Sequence, residues 1–304
     1  SRGAFSARTF IGFIRHVGPL HRLHVGRIDE AVGLYEDRLK GKDGSAEAMR
    51  KFRSTYSDKV CIGQGDEDWR CSNVPNYISG SAPLMTIKYL GVWDTVEAMG
   101  IPEIIPGSDW FNREYDYHDA SLDTFVESAR HAVAIDERRK LFPVVRFDDV
   151  DQLNASRGFD SSSDDAPYQE RWFPGVHGSI GGGGDIRGLS DDALMWVLTG
   201  AKRAGLRLDT ARGTRIHGLR PDPFAPLVNE ADPEFSVTGL IKGDRDGPQH
   251  LWQLSNSAIR RWRTPASALG GEAYRPGTLD NVKQELNALG PWSFEPPTDL
   301  VTEE

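Results

Sequence analysis

Apolar positions recur with helical spacing along the first part of the chain. Within residues 3–17, apolar and small side chains return every three or four positions, and phenylalanines cover other sides of the same segment. We therefore expect a helix there that is buried on several sides. The same periodicity predicts two further helices, at Arg27–Leu39 and Ser45–Tyr56. The polar, turn-rich stretch 58–83 predicts a long loop.

Further along the chain, apolar runs typical of strands alternate with helical patterns. We predict buried strands at Leu84–Trp93 and Leu141–Phe147, with a helix at Leu122–Arg139 between them. A short strand around Trp172 precedes a glycine-rich turn, and Ser190 is the predicted N-cap of the next helix. This alternation predicts an α/β fold, in which a mostly parallel sheet is flanked by helices and carries helical and loop insertions.

The composition allows a sizeable core and excludes several classes of protein. Of 304 residues, 38% are hydrophobic and 27% are charged, and the formal net charge of −9 argues against a nucleic-acid binder. No run approaches the ~18 uninterrupted apolar residues of a membrane span, and no signal-peptide pattern is visible. We expect a soluble protein that is either cytoplasmic or delivered by a secretion machine.

Three small features favour structural roles over binding. The two cysteines, Cys61 and Cys71, are too far apart for a metal-binding pair and are expected to be free thiols. The basic cluster formed by Arg260, Arg261 and Arg263 around Trp262 favours a helix face or cap over a phosphate site. The glycine run 181–184 lacks the lysine and spacing of nucleotide-binding loops and is expected to be a flexible loop. No metal, nucleotide or flavin site is indicated.

Reactive side chains follow the predicted strands, where α/β sheets carry their sites. Asp94 follows the strand that ends at Trp93, and His177 follows the short strand around Trp172. Ser1-Arg2-Gly3 matches the second half of the Gly-x-Ser-x-Gly nucleophile elbow, and the chain order Ser, Asp, His is that of α/β-hydrolases. In such a triad the serine attacks an acyl carbon, the histidine removes its proton and the aspartate orients the histidine.

Four blocks of the sequence occur in the order of a known family. SRGAFSAR, YLGVWDTV, HAVAIDERR and WFPGVHGSIGGGG resemble the α/β-hydrolase family that includes type VI secretion phospholipase effectors, over about residues 1–205. The resemblance implies an ester or lipid hydrolase that needs no cofactor. It implies Ser1 as nucleophile, His177 as base, and the backbone N–H of Arg2 as one half of the oxyanion hole.

The chain departs from the family pattern around two of these residues. The Gly-Phe expected before the serine is absent, and the Ser-Asp expected after the histidine is Gly178-Ser179. We choose Asp94 as the acid because it lies in the more specific motif. Asp148 and Asp149, which follow the next predicted strand, remain alternatives, and Asp94 could instead cap the next turn. His131 and Asp136, which we place on the predicted helix, are expected to be structural.

The chain begins at the candidate nucleophile, and we interpret this as truncation within an α/β-hydrolase fold. We then expect an incomplete fold and an inactive fragment of an active parent. One alternative is an N-terminal-nucleophile hydrolase, in which the α-amine of Ser1 would be the base. Another is a non-catalytic hydrolase fold used for binding.

We expect a catalytic core over residues 1–205 and a partly irregular C-terminal extension over 206–304, packed on that core. The sequence does not decide whether the protein contacts a membrane surface. It also does not decide whether the protein has a secretion partner or an immunity partner.

Overall fold

A computed structural model describes residues 2–96, 121–140, 142–229 and 241–291. Its α-helices are α1 (Arg2–Val17), α2 (Ile28–Leu39), α3 (Ser45–Tyr56), α4 (Gln64–Asn73), α5 (Val150–Ser156), α6 (His177–Gly181), α7 (Gly188–Arg203), α8 (Asn256–Arg263) and α9 (Lys283–Ala288). Its strands are β1 (Leu90–Trp93), β2 (Ala129–Ala134) and β3 (Tyr168–Phe173). Short 3₁₀ helices span Arg22–Arg27, Leu251–Gln253, Ala266–Ala268 and Gly277–Val282.

The strands form a parallel three-stranded sheet in the order β1-β2-β3. Backbone N–H groups of Leu90 and Ala129 donate to the carbonyls of Ser128 and Pro167, at 3.0 and 2.9 Å, and so fix the register. All six residues of the central strand β2 are buried. The predicted α/β fold with a parallel sheet is therefore confirmed.

The described residues divide into two compact units. Unit 1 is drawn from Ser1–His131, Pro143–Gln169 and Thr199–Arg207, and unit 2 from Ala132–Phe142, Glu170–Leu198 and Leu208–Glu304. The predicted division into a core over 1–205 and an extension over 206–304 stays a prediction.

The described residues of unit 1 form two apolar clusters. One joins α1, α2 and α3 through buried residues that include Val17, Tyr35 and Phe52. The other packs Ala4 and Ile11 of α1 against residues of the sheet. Arg8 of α1 reaches across and donates to the carbonyls of Val145 and Arg146 at 2.6 and 3.0 Å. The three helices predicted in this region are confirmed, because their apolar faces are local and strongly periodic.

Unit 2 holds the ends of β2 and β3 and the later part of the chain. Leu254 bridges in parallel to Trp172 of β3, and Ser255 donates its backbone N–H to the carbonyl of Trp172 at 2.9 Å. The Thr278 hydroxyl donates to the carbonyl of Ile135, directly after β2, at 2.9 Å. Ser255 also caps α8, because its hydroxyl accepts the N–H of Ala258 at 3.1 Å.

Two predictions about the middle of the chain are wrong. The predicted helix at Leu122–Arg139 contains β2, because a strand buried on both faces has a continuous apolar run rather than an alternating one. The predicted strand at Leu141–Phe147 is not a member of the parallel sheet; Val144 makes an isolated antiparallel bridge to Val96. Pro143 in this segment has no N–H to donate to a ladder. Leu141 itself lies outside the described residues.

Three smaller predictions also need correction. The first strand is confined to Leu90–Trp93, preceded by isolated parallel bridges at Leu84 and Ile87. The predicted loop at 58–83 contains the polar helix α4. Ser190 does not cap α7; it lies inside this helix, and its hydroxyl donates back to the carbonyl of Arg187 at 2.9 Å.

Candidate active site

The candidate nucleophile Ser1 lies outside the described residues. Its neighbour Arg2 is the first residue of α1 and is exposed. Free N–H groups at a helix N-terminus carry partial positive charge, which suits an oxyanion hole. The role of Arg2 in such a hole remains a prediction.

The candidate acid Asp94 occupies a sharp turn at the end of β1. It is 1% exposed and has a φ of +36°, in a region that few residues other than glycine adopt. The next residue, Thr95, is fully buried and donates its backbone N–H to Nε2 of His131 at 3.0 Å. The turn that carries Asp94 is therefore tied to β2.

His131 is a buried member of this arrangement. It lies on β2, not on the helix predicted for it, and is 0% exposed. Since its Nε2 accepts the Thr95 N–H, the neutral ring carries its proton on Nδ1. Its ring packs against Phe147 with a centroid distance of 5.1 Å. These contacts support a structural role for His131 in holding the turn at Asp94.

The two alternative acids are surface residues. Asp148 and Asp149 are exposed, and Asp149 precedes α5 with a φ of +54°. The expectation that they follow the second strand is wrong, because that strand is β2. The carboxylates that do follow β2 are Asp136 and Glu137.

His177 begins the short helix α6, just beyond β3. The connection requires Gly175, whose φ is +115° and where an added Cβ would stand 2.8 Å from the Cβ of Ser179. The run 181–184 is tied down: Asn229 donates its side-chain amide to the carbonyl of Gly178 at 2.9 Å and accepts the N–H of Ile186 through its own carbonyl at 3.0 Å. The run that the sequence predicted to be a flexible loop is thus held by Asn229 at Gly178 and Ile186, on either side of it.

Glu137 forms a clamp on the backbone of His177. Its carboxylate is 2% exposed and accepts the backbone N–H of His177 at 3.2 Å. The same carboxylate accepts Nε and Nη2 of Arg139 at 2.8 and 2.6 Å. Burial opposes ionisation of Glu137, but the hydrogen bonds from Arg139 outweigh it and lower the pKa of the carboxyl.

Phe142 completes the clamp from the side of the ring. The Arg139 guanidinium lies 4.0 Å from the Phe142 ring centroid, and that ring meets the His177 imidazole edge-on at 5.6 Å. Both the backbone and the ring of His177 are therefore held by a connected set of side chains from the segment after β2. The sequence-based reasoning missed this set because it assigned the segment to a helix; the apolar run HAVAI followed by DERR is the signal that indicates a buried strand and its polar end.

Asp136 supports the same loop from its other side. It accepts the N–H of Gly175 at 2.6 Å and the hydroxyl of Tyr274 at 2.8 Å. Burial raises the pKa of Asp136, and the two hydrogen bonds offset part of that rise. Two adjacent carboxylates after β2 thus hold the backbone at both ends of the sequence Gly-Val-His.

Comparison with known protein families identifies the family of the chain. The family described as "T6SS, Phospholipase effector Tle1-like, catalytic domain" matches residues 1–200. The chain belongs to this Tle1-like family. No curated protein and no solved structure matches the chain.

Membership in the Tle1-like family confirms the resemblance seen in the sequence. The match covers Ser1, Arg2, Asp94 and His177 as well as the clamp residues, and it supports phospholipase or lipase function with a lipid substrate. Among the described residues of this Tle1-like chain, no helix is both long and apolar enough to cross a membrane. Within those same ranges no group of three His, Cys, Asp or Glu side chains is arranged to hold a metal ion.

Proposed function

We propose that this Tle1-like chain carries the catalytic residues of a serine hydrolase that cleaves carboxylic esters of phospholipids. The observation that carries the proposal is the match to a phospholipase effector catalytic domain over residues 1–200, which spans every proposed catalytic residue. Ser1 is the nucleophile, His177 the general base and Asp94 the residue that orients the base.

The proposed reaction follows the acyl-transfer scheme. The imidazole of His177 takes the hydroxyl proton of Ser1 as Oγ attacks the ester carbonyl carbon. The carbonyl oxygen becomes an oxyanion, and the backbone N–H of Arg2 is one of its donors. His177 then gives the proton to the leaving alcohol, and a water molecule, activated by the same base, releases the fatty acid from the serine.

The surroundings of His177 support its assignment as the base. A general base must keep one ring orientation through both proton transfers, and small displacements cost rate steeply. Glu137 holds the backbone N–H of His177 at 3.2 Å and Phe142 packs against its ring. The imidazole is half-buried, so the ring remains accessible to a substrate.

A fluorophosphonate probe tests the assignment, because it labels serines activated by a base. We expect labelling of the active parent protein to be lost on Ser1→Ala and on His177→Ala. Matched controls are Ser6→Ala, an exposed serine of α1, and His217→Ala, an exposed histidine of unit 2. Asp94→Asn is expected to reduce the rate by up to about 10⁴-fold, whereas Asp148→Asn leaves it unchanged. Labelling that survives His177→Ala would remove the base proposed here.

Product analysis tests the bond that is cleaved. Phosphatidylethanolamine vesicles are incubated with the parent protein and the products identified by mass spectrometry. We expect a free fatty acid and a lysophospholipid, as carboxylic-ester cleavage requires. Diacylglycerol or phosphatidic acid would instead indicate cleavage at the phosphate and contradict the proposed chemistry. No product and no labelling would favour the alternative of a non-catalytic binding protein.

A further inference from the structure

Unit 2 contains a cavity of about 640 Å³. Its walls come from the residues after β2, from α8 and from the segment 269–278, and Asp136, Arg261 and Tyr274 are among the lining residues. Pockets that bind small molecules commonly measure about 300–1,000 Å³. The cavity is therefore large enough for a polar head group with part of an attached chain.

Arg261 is the buried cation of this cavity. It is 7% exposed, and its Nη1 donates to the carbonyls of Pro223 and Ala225 at 2.9 and 2.8 Å. Its Nε has no hydrogen-bond partner, and among the described residues none accepts from its Nη2. Arg261 lines the cavity, and Nη2 is its donor that neither a described acceptor nor the protein interior accounts for.

A second guanidinium stands at the rim. Arg275 is exposed and lies 4.1 Å from the ring centroid of Trp262. Its Nη1 donates to the carbonyls of Trp262 and Tyr274 at 2.6 and 2.7 Å, which leaves Nε and Nη2 without an acceptor in the described part of the chain. Backbone carbonyls thus position both arginines, and each guanidinium has N–H donors without an acceptor among the described residues.

No described carboxylate neutralises either arginine in an ion pair. Asp136 is engaged with Gly175 and Tyr274, and Asp244 pairs with Arg138 at 2.9 Å. Asp136 attracts Arg261 only at a distance, and the Tyr274 ring offers its face at 5.3 Å. Burial still prevails and lowers the pKa of Arg261, which indicates a cation that lacks a close partner.

We propose that this cavity binds a phosphate group, with Arg261 on its floor and Arg275 at its rim as the donors. Guanidinium groups hold phosphate through paired N–H···O bonds, and a buried guanidinium gains most from such a partner. The sequence favoured a structural role for the basic cluster of α8, and Arg263 has one, since its Nε donates to the carbonyl of Gly290 at 2.8 Å. Arg261 differs because it faces the cavity.

The phosphate could belong to a lipid head group or to a free phosphate compound. Asp136 lines the cavity and also holds Gly175, two residues before His177. A bound head group would therefore lie beside the loop that carries the candidate base. The proposal does not require His177 to be catalytic.

Calorimetric titration of the full chain at low ionic strength tests the proposal. The probes are inorganic phosphate and sn-glycero-3-phosphoethanolamine, a soluble head group. We expect binding of at least one probe, weakened about 10- to 100-fold by Arg275→Gln and by Arg261→Gln, as the loss of a charged hydrogen bond implies. Arg260→Gln, an exposed neighbour on α8 that does not line the cavity, is the matched control and should bind as the unmodified chain does.

The two probes distinguish the sources of the phosphate. Binding of the head group alone, or of both probes, supports a lipid head-group site, and binding of inorganic phosphate alone supports a free phosphate compound. Absence of binding at millimolar concentration, or binding that both arginine variants leave intact, overturns the proposal. Arg275 is exposed, so Arg275→Gln decides the matter even if thermal melting shows that Arg261→Gln does not fold.

Discussion

Arg70 in unit 1 and Arg261 in unit 2 are both buried and both donate to backbone carbonyls, but only one has a carboxylate. Arg70 is 1% exposed; its guanidinium donates to the carbonyls of Ser57, Asp58 and Val60 and to the carboxylate of Asp66 at 3.1 Å. Asp66 also accepts from Arg53 at 2.8 Å. Arg261 has the carbonyls without the carboxylate, and it faces a cavity.

We call a set of buried charges closed when a carboxylate of the chain pairs with the cation, and open when no carboxylate does. In unit 1 the carboxylate of Asp66 pairs with both Arg53 and Arg70, and backbone carbonyls accept from the same two guanidinium groups, although Nε of Arg70 has no partner. The set links α1, α3, α4 and the turn that precedes α4. In unit 2 no described carboxylate forms an ion pair with Arg261, and Asp136 and Asp222 act on it only at a distance. A buried charge is costly unless it is paired, so an open set indicates a place for a ligand.

The largest expected effect is the loss of the shared carboxylate in the closed set. Asp66→Asn leaves Arg70 buried with no counter-charge, and breaking a buried pair in this way costs about 3–5 kcal/mol. We expect a drop of that size in the free energy of unfolding measured in urea. Asp29→Asn, an exposed acid of α2, is the control and should change it little. A loss below about 1 kcal/mol would show that burial of these charges does not matter as argued.

Glu137 is paired with Arg139 but also holds the backbone of the candidate base His177. Its replacement should therefore lower the rate of hydrolysis more than the free energy of unfolding. Glu137→Gln keeps the shape but turns an amide toward Arg139, which loosens the clamp on His177. We expect kcat for ester hydrolysis to fall by about 10- to 100-fold with KM little changed. Glu127→Gln, in a surface pair with Lys88, is the control. Reduced stability at unchanged kcat would place Glu137 with the purely structural charges.

A pH titration tests a second buried carboxylate in unit 1. Glu67 accepts the Tyr77 hydroxyl at 2.6 Å and the N–H of Gly80 at 2.7 Å, and these bonds lower its pKa to about 2. A lowered carboxyl pKa contributes stability above the unfolded pKa of about 4.3, and that stability is lost as pH falls toward 2. Melting temperatures of the unmodified chain and Glu67→Gln should therefore differ more at pH 7 than at pH 2.5. An equal difference at both pH values would contradict the assignment.

The smallest expected effect is at an exposed pair with similar geometry. Arg27 and Glu30 lie 3.0 Å apart, close to the separation of Arg70 and Asp66, but both side chains are about half exposed. Glu30→Gln should lower the free energy of unfolding by no more than about 0.5 kcal/mol, because water screens the pair. Urea unfolding beside Asp66→Asn makes the comparison direct. A loss above about 1 kcal/mol would show that distance rather than burial decides the effect.

The parts of the fold that the sequence predicted are those whose signal is local. The helices α1, α2 and α3 have apolar faces that repeat within a few residues, and β3 ends in the specific block that carries His177. The central strand β2 was missed because its burial comes from neighbours on both sides, so its apolar run resembles part of a helix. Helix α4 was missed because its buried face is charged: Asp66, Glu67 and Arg70 are inside it.

The candidate site divides in the same way. Ser1, Asp94 and His177 were chosen from short motifs, since a reactive side chain and its tight turn are encoded within a few residues. The sequence could have placed Asp136 and Glu137 at the end of a buried strand, but not their roles, because these depend on which backbone N–H groups reach the two carboxylates. Asp148 and Asp149 were alternatives only because they follow a predicted strand that is not part of the parallel sheet.

The sequence by itself determined the α/β class, the family and the candidate residues, because periodic burial and motif spacing are properties of the chain alone. Only the tertiary structure decided which buried charges are paired. Arg70 and Arg261 both follow ordinary helical patterns, and nothing in their neighbouring residues says that one meets a carboxylate and the other a cavity. That outcome depends on contacts between residues far apart in the chain, such as those of Arg261 with Pro223 and Ala225, which exist only once the chain has folded.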